Sequence, residues 1–108
     1  MTLDYYQERA ISTAVYPEGV KIVYPTLGLT GEAGEVADKV KKVYRDNNGV
    51  FSDEIKEELK KEIGDVMWYC ATLSKDLGFT LREVAETNIQ KLQKRRDENK
   101  IHGSGDNR

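Results

Sequence analysis

Apolar residues recur at helical spacing in four stretches of this chain. In the first, Leu3, Tyr6, Ala10, Ile11 and Ala14 follow the i, i+3, i+7, i+8 pattern of one buried face. Thr2 can cap that helix, which is expected to end near Val15. Tyr16-Pro17-Glu18-Gly19 reads as a turn, and the residues through Tyr24 read as loop. Pro25 suits the first turn of a second helix, where its missing N–H costs nothing. That helix carries Leu29, Ala33, Val36, Ala37, Val40 and Tyr44 on one arc and stops at Asp46-Asn47-Asn48-Gly49. A third helix, capped by Ser52 or Asp53, has the stripe Ile55, Leu59, Ile63, Val66, Cys70, Leu73 and Leu77, with Gly78 closing it. Thr80-Leu81-Arg82-Glu83 matches a capping box and starts a fourth at Leu81, with Val84, Ala85 and Leu92 apolar and Ile89 at the margin. The periodicity fades after Arg96.

The pattern predicts an all-α fold: a four-helix, bundle-like single domain over residues 1–98, followed by a glycine-rich polar tail over 99–108. At 108 residues the chain is near the size at which association with copies of itself becomes useful, so a core completed by homo-oligomerisation is expected.

Charge changes the picture at the borders of these stripes. Glu32 and Glu35 lie three residues apart at the edge of the second stripe. Glu58, Glu62, Asp65 and Tyr69 run along one edge of the third. Residues at i and i+3 share a helix face, so two packed helices would bring Glu32, Glu35, Glu62 and Asp65 to one place. Converging carboxylates repel unless a cation separates them, and an oxygen-only set selects Mg2+, with Mn2+ as a possible substitute. On the fourth helix Asn88, Lys91 and Arg95 form a polar and cationic stripe of opposite sign. Metal plus cations suits phosphate, and points to hydrolysis of a phosphoanhydride. Lys39 and Glu58 lie near enough in angle to the acids to support them from a second layer. Gly34 and Gly64, each directly before the second acid, suggest close helix approach or room for metal and water.

Plainer readings compete with these. A lone Glu-x-x-Glu is usually a solvated face, but the doubled motif argues against that. A di-iron bundle would need a Glu-x-x-His on each of two helices, and the sole histidine, His102, sits in the tail. Cys70 reads as a small core residue rather than a reactive thiol, and Trp68 as a subunit contact. Tyr5, Tyr6, Tyr16 and Tyr24 suit either packing or stacking against a base. Asn88 falls inside an apolar arc, where its amide would need a partner. The Asp106-Asn107-Arg108 ending can fold over a phosphate.

Composition narrows the partners. A third of the residues are charged, yet the net charge is −2 with acids and bases interspersed, so polymeric nucleic acid is not an expected partner. No apolar run approaches a membrane span, and Met1 to Tyr6 lacks the basic and apolar regions of a signal peptide. A cytoplasmic protein is the expectation.

Leu29-Thr30-Gly31-Glu32-Ala33-Gly34-Glu35-Val36, followed by Glu58-Leu59-Lys60-Lys61-Glu62-Ile63-Gly64-Asp65-Val66, resembles the MazG-type all-α nucleoside triphosphate pyrophosphohydrolases. Asn88-Ile89-Gln90-Lys91-Leu92-Gln93-Lys94-Arg95 is similar to that family's closing helix. The resemblance implies a dimeric or tetrameric helical enzyme that cleaves nucleoside triphosphates between the α and β phosphates, giving a monophosphate and pyrophosphate. It also implies Mg2+ on Glu32, Glu35, Glu62 and Asp65, or one of these acids orienting the attacking water, with Asn88, Lys91 and Arg95 on the nucleotide. The alternatives are a relative acting on phosphoribosyl-ATP in histidine synthesis, or a non-catalytic helical module that binds nucleotide or a partner. The single motif copy departs from two-domain members, whose cellular roles are therefore not carried over.

Overall fold

The computed structural model describes residues 1–107. The elements run α1 (Leu3–Ile11), a 3₁₀ turn (Glu18–Val20), α2 (Val23–Asp46), α3 (Asp53–Asp76) and α4 (Leu81–Asp97). The chain is all-α, with no strand among the described residues.

The caps work as their side chains dictate. Thr2 Oγ1 accepts from the Tyr5 N–H at 3.0 Å, and Ser52 Oγ from the Ile55 N–H at 3.2 Å. Thr80 and Glu83 form the reciprocal capping box that starts α4. α1 stops four residues before the expected Val15. The reason is local: the Ser12 and Thr13 hydroxyls donate to the Arg9 and Ala10 carbonyls, offering the backbone an alternative to further helix. α2 starts earlier than expected, at Val23, with Pro25 in its first turn and buried. Ile22 precedes it at φ 68°, a left-handed conformation that disfavours a β-branched residue. Its N–H is held by Asp76 Oδ2 at 2.9 Å, and the same oxygen accepts from the Tyr16 hydroxyl at 2.8 Å. Burial and that hydrogen bond push the Tyr16 phenol up to about 12.

α2 and α3 pack along each other as the central pair, while α1 and α4 lean on α3. Their junction is closed by Gln7, a buried polar residue within the apolar arc of α1. Its amide donates to the carbonyls of Ala71 and Phe79 at 3.1 and 3.2 Å and accepts from the Leu81 N–H at 3.0 Å. One side chain thus ties α1 to the end of α3 and the start of α4. Trp68, expected from sequence to be a subunit contact, also makes contacts inside the chain. It is half-buried, donates to Thr13 Oγ1 at 2.8 Å and meets the Tyr69 ring edge-on.

The chain leaves much apolar surface uncovered. Within the expected stripes, Ile63 is 52 % exposed and Ile89 65 %, and Tyr44, Leu77, Val84 and Leu92 are also exposed. The radius of gyration is 16.7 Å, against about 13 Å for a compact domain of this length. Periodicity named the buried faces only in part: the burial expected of Ile63, Leu77 and Tyr44 does not occur within one chain, while Val43, Ala71 and Thr72, outside the expected stripes, are buried.

Candidate metal centre

Three of the four expected acids converge where α2 crosses α3. Glu32, Glu62 and Asp65 each offer a carboxylate oxygen, and these oxygens all lie within 4.8 Å of one another. Glu32 and Glu62 are half-buried and Asp65 is exposed. Partial desolvation, and then the charges of Asp65 and Glu62, hold the Glu32 carboxyl above the usual range. Hard oxygen donors that repel one another fit a divalent cation such as Mg2+.

Glu35 stands apart from this trio. It is exposed one turn along α2 and lines an adjoining groove of about 310 Å3 with Asp38, Lys39, Lys42, Asp46 and Glu58. Lys39 Nζ lies 3.7 Å from Glu58 and 3.9 Å from Glu62, so a cation borders the trio on this side. A Cβ added at Gly34 or Gly64 would meet nothing within 4 Å. Of the two roles expected for these glycines, close helix approach is therefore absent within the chain, and open space remains.

The close approach occurs at Gly28 instead, one turn before Glu32. There the Tyr69 ring, one turn after Asp65, covers the glycine. Tyr69 continues into Tyr24, with centroids 6.4 Å apart, and Tyr24 stacks on Tyr16 at 4.8 Å. The trio is thus flanked by aromatic rings at one end and by Lys39 at the other. Gly28 and Gln7 carried no motif in the sequence; for Gln7 the available signal was a polar residue inside an apolar arc.

The cationic stripe of α4 does not meet the acids within one chain. Among the described residues no hydrogen bond or ion pair joins Asn88, Lys91 or Arg95 to the trio. Asn88 is exposed, so its amide carries no desolvation cost, contrary to its place on the apolar arc. Lys91 and the buried Arg95 both bond to Asp106, at 2.8 and 3.2 Å. Cys70 is half-buried, and burial pushes its thiol up, away from the reactive thiolate. No described helix is long and apolar enough to cross a membrane.

Comparison with known proteins identifies the family. The chain is 48 % identical, over the full length of both, to the protein named "Gene 37 protein" of Mycobacterium phage L5. No solved structure matches it. The MazG nucleotide pyrophosphohydrolase domain matches residues 25–99, a span that holds the acid trio, Glu35 and the whole of α4. The chain belongs to the MazG nucleotide pyrophosphohydrolase family.

Proposed function

We propose that this protein is a Mg2+-dependent pyrophosphohydrolase that cleaves ribo- or deoxynucleoside triphosphates between the α and β phosphates, clearing unwanted triphosphates from the cytoplasmic pool. The observation that carries the reading is the convergence of Glu32, Glu62 and Asp65 from two helices. These three carboxylates would hold the metal, with Mn2+ as a substitute. When bound, the metal neutralises phosphate oxygens and acidifies the attacking water.

The chain's own groups do the rest. Glu35, outside the trio but on its face of α2, accepts the proton of the attacking water. The water's oxygen bonds to one phosphorus of the α–β bridge as the bond from that phosphorus to the bridging oxygen breaks, and pyrophosphate and nucleoside monophosphate separate. Lys39 fixes Glu62 and Glu58 from the second layer. Asn88, Lys91 and Arg95 hold the substrate and balance its phosphate charge. Because α4 stands away from the acids of its own chain, a second copy supplies these three residues, in a homodimer or homotetramer whose contacts cover the exposed apolar stripes. The catalytic unit is residues 1–98, and 99–108 is an appended tail.

Incubation with a panel of nucleoside triphosphates and Mg2+, detecting pyrophosphate separately from orthophosphate, tests the reading. Pyrophosphate and monophosphate in equal amounts are expected. Orthophosphate alone would place the cut at the wrong bond. Preferential turnover of phosphoribosyl-ATP in the same panel would assign the chain to that reaction, and no turnover of any substrate would leave a binding module.

A further inference from the structure

After α4 the chain reverses and returns along the helix it has just left. Asn99 at φ 57° and Gly105 at φ 78° take the left-handed conformations that make the reversal possible. The Lys100 N–H closes on the Arg95 carbonyl at 2.7 Å, and the Gly103 N–H on that of Lys100 at 3.2 Å. The returning segment ends on the α4 cations. One oxygen of Asp106, Oδ1, accepts from Lys91 Nζ at 2.8 Å and from Arg95 Nη2 at 3.2 Å. The Gly105 carbonyl accepts from the same Arg95 nitrogen at 3.2 Å.

A single anionic oxygen shared by a lysine and an arginine is the arrangement those side chains would offer a phosphate oxygen. We propose that residues 98–107 form a self-blocking strap, in which the Asp106 carboxylate occupies the phosphate position on Lys91 and Arg95 until nucleotide displaces it. This rests on the reading that these two cations bind substrate phosphates. The strap is built to release. Asp106 is 78 % exposed, so its ion pairs are screened by water and weak, whereas a triphosphate brings several anionic oxygens to the same two cations. Lys91 and Arg95 both stem from α4, so both cations stay on the helix when the strap leaves. Asp106 thus acts as an internal competitor, raising the nucleotide concentration at which the enzyme works.

Steady-state kinetics of D106N and K91A, beside wild type, test this. D106N is expected to lower KM by about two- to fivefold, the range an exposed ion pair supports, with kcat unchanged, and K91A to raise KM. If K91A raises KM and D106N leaves it unchanged or raises it, the strap is overturned while the substrate-binding reading stands. If K91A leaves KM unchanged, both fall. A second measurement needs no turnover: the amide signals of Gly103 and Gly105, followed by NMR as inorganic pyrophosphate is added without metal. Movement toward random-coil positions is expected. Signals that stay fixed, or that move away from those positions as the tail closes over the anion, overturn the strap.

Discussion

Tyr69 covers Gly28 so closely that a Cβ added to the glycine would stand 2.6 Å from Cδ1 of the ring and closer still to Cε1 and Cζ. Gly28 lies one turn before Glu32 on α2, and Tyr69 one turn after Asp65 on α3, so this contact sets the spacing of the two helices beside the acid trio. The ring is hemmed in by Trp68 and Tyr24 and has little room to withdraw. Alanine at position 28 would gain about 1 kcal/mol of helix propensity. Overpacking of about 1–3 kcal/mol opposes it. Gly28→Ala is therefore expected to lower the melting temperature and weaken the stabilisation by Mg2+, with Tyr69→Ala in the same chain restoring much of both. Thermal melts with and without Mg2+ check this, and an unchanged Mg2+ response would separate the contact from the site.

Glu32 makes stability depend on pH in a direction that metal reverses. Its carboxyl is raised, first by desolvation and then by Asp65 and Glu62, so the folded chain holds this proton more tightly than the unfolded chain does. The resulting penalty is absent while both states hold the proton. It appears as pH climbs from the ordinary glutamate value through the raised one, and is fully present at neutral pH. Glu32→Gln should raise the melting temperature in EDTA at neutral pH by about 1–3 °C, as expected for relief of a like-charge contact. The same variant should lose most of the Mg2+-induced shift. In wild type that shift should grow as pH rises through the carboxylate range. A variant that keeps the full shift would remove Glu32 from the metal set.

A second copy supplying α4 predicts complementation. Asp65→Asn has damaged acids and an intact α4, and Lys91→Ala the reverse. Unfolded and refolded together in equal amounts as dimers, they should recover about a quarter of wild-type activity, since half the dimers are mixed and each carries one intact site. No recovery would place α4 and the acids of a working site in one chain.

Gln7 carries structure rather than chemistry. Replacing it with leucine leaves the Phe79 carbonyl and the Leu81 N–H without their partner at a part-buried junction, at a cost of about 1–3 kcal/mol. Urea unfolding should show that loss. Metal affinity should stay near wild type, because the junction meets α3 at Ala71, about 13 Å along the helix from Glu62.

What is settled within one or two helical turns is legible in the sequence. Thr2, Ser52 and the Thr80–Glu83 box are legible because a cap reaches only three residues along the chain. Glu62 and Asp65 are legible because a spacing of three fixes a shared face whatever lies opposite. Tertiary structure decided every relation that joins distant segments. Gln7 meets a carbonyl 64 residues away and Trp68 a hydroxyl 55 residues away, distances over which periodicity carries no information. The same holds for the acids and cations. Helical angle put Glu35 beside Glu32, but the crossing of α2 and α3 chose Glu32, Glu62 and Asp65 and left Glu35 in the next groove. Opposite charge suggested that α4 would face the acids, yet α4 leans on α1 and α3, and the reversal at Asn99 gave its cations to Asp106. Amphipathic patterning says which face of a helix seeks cover; only the packing of the whole chain decides what provides it.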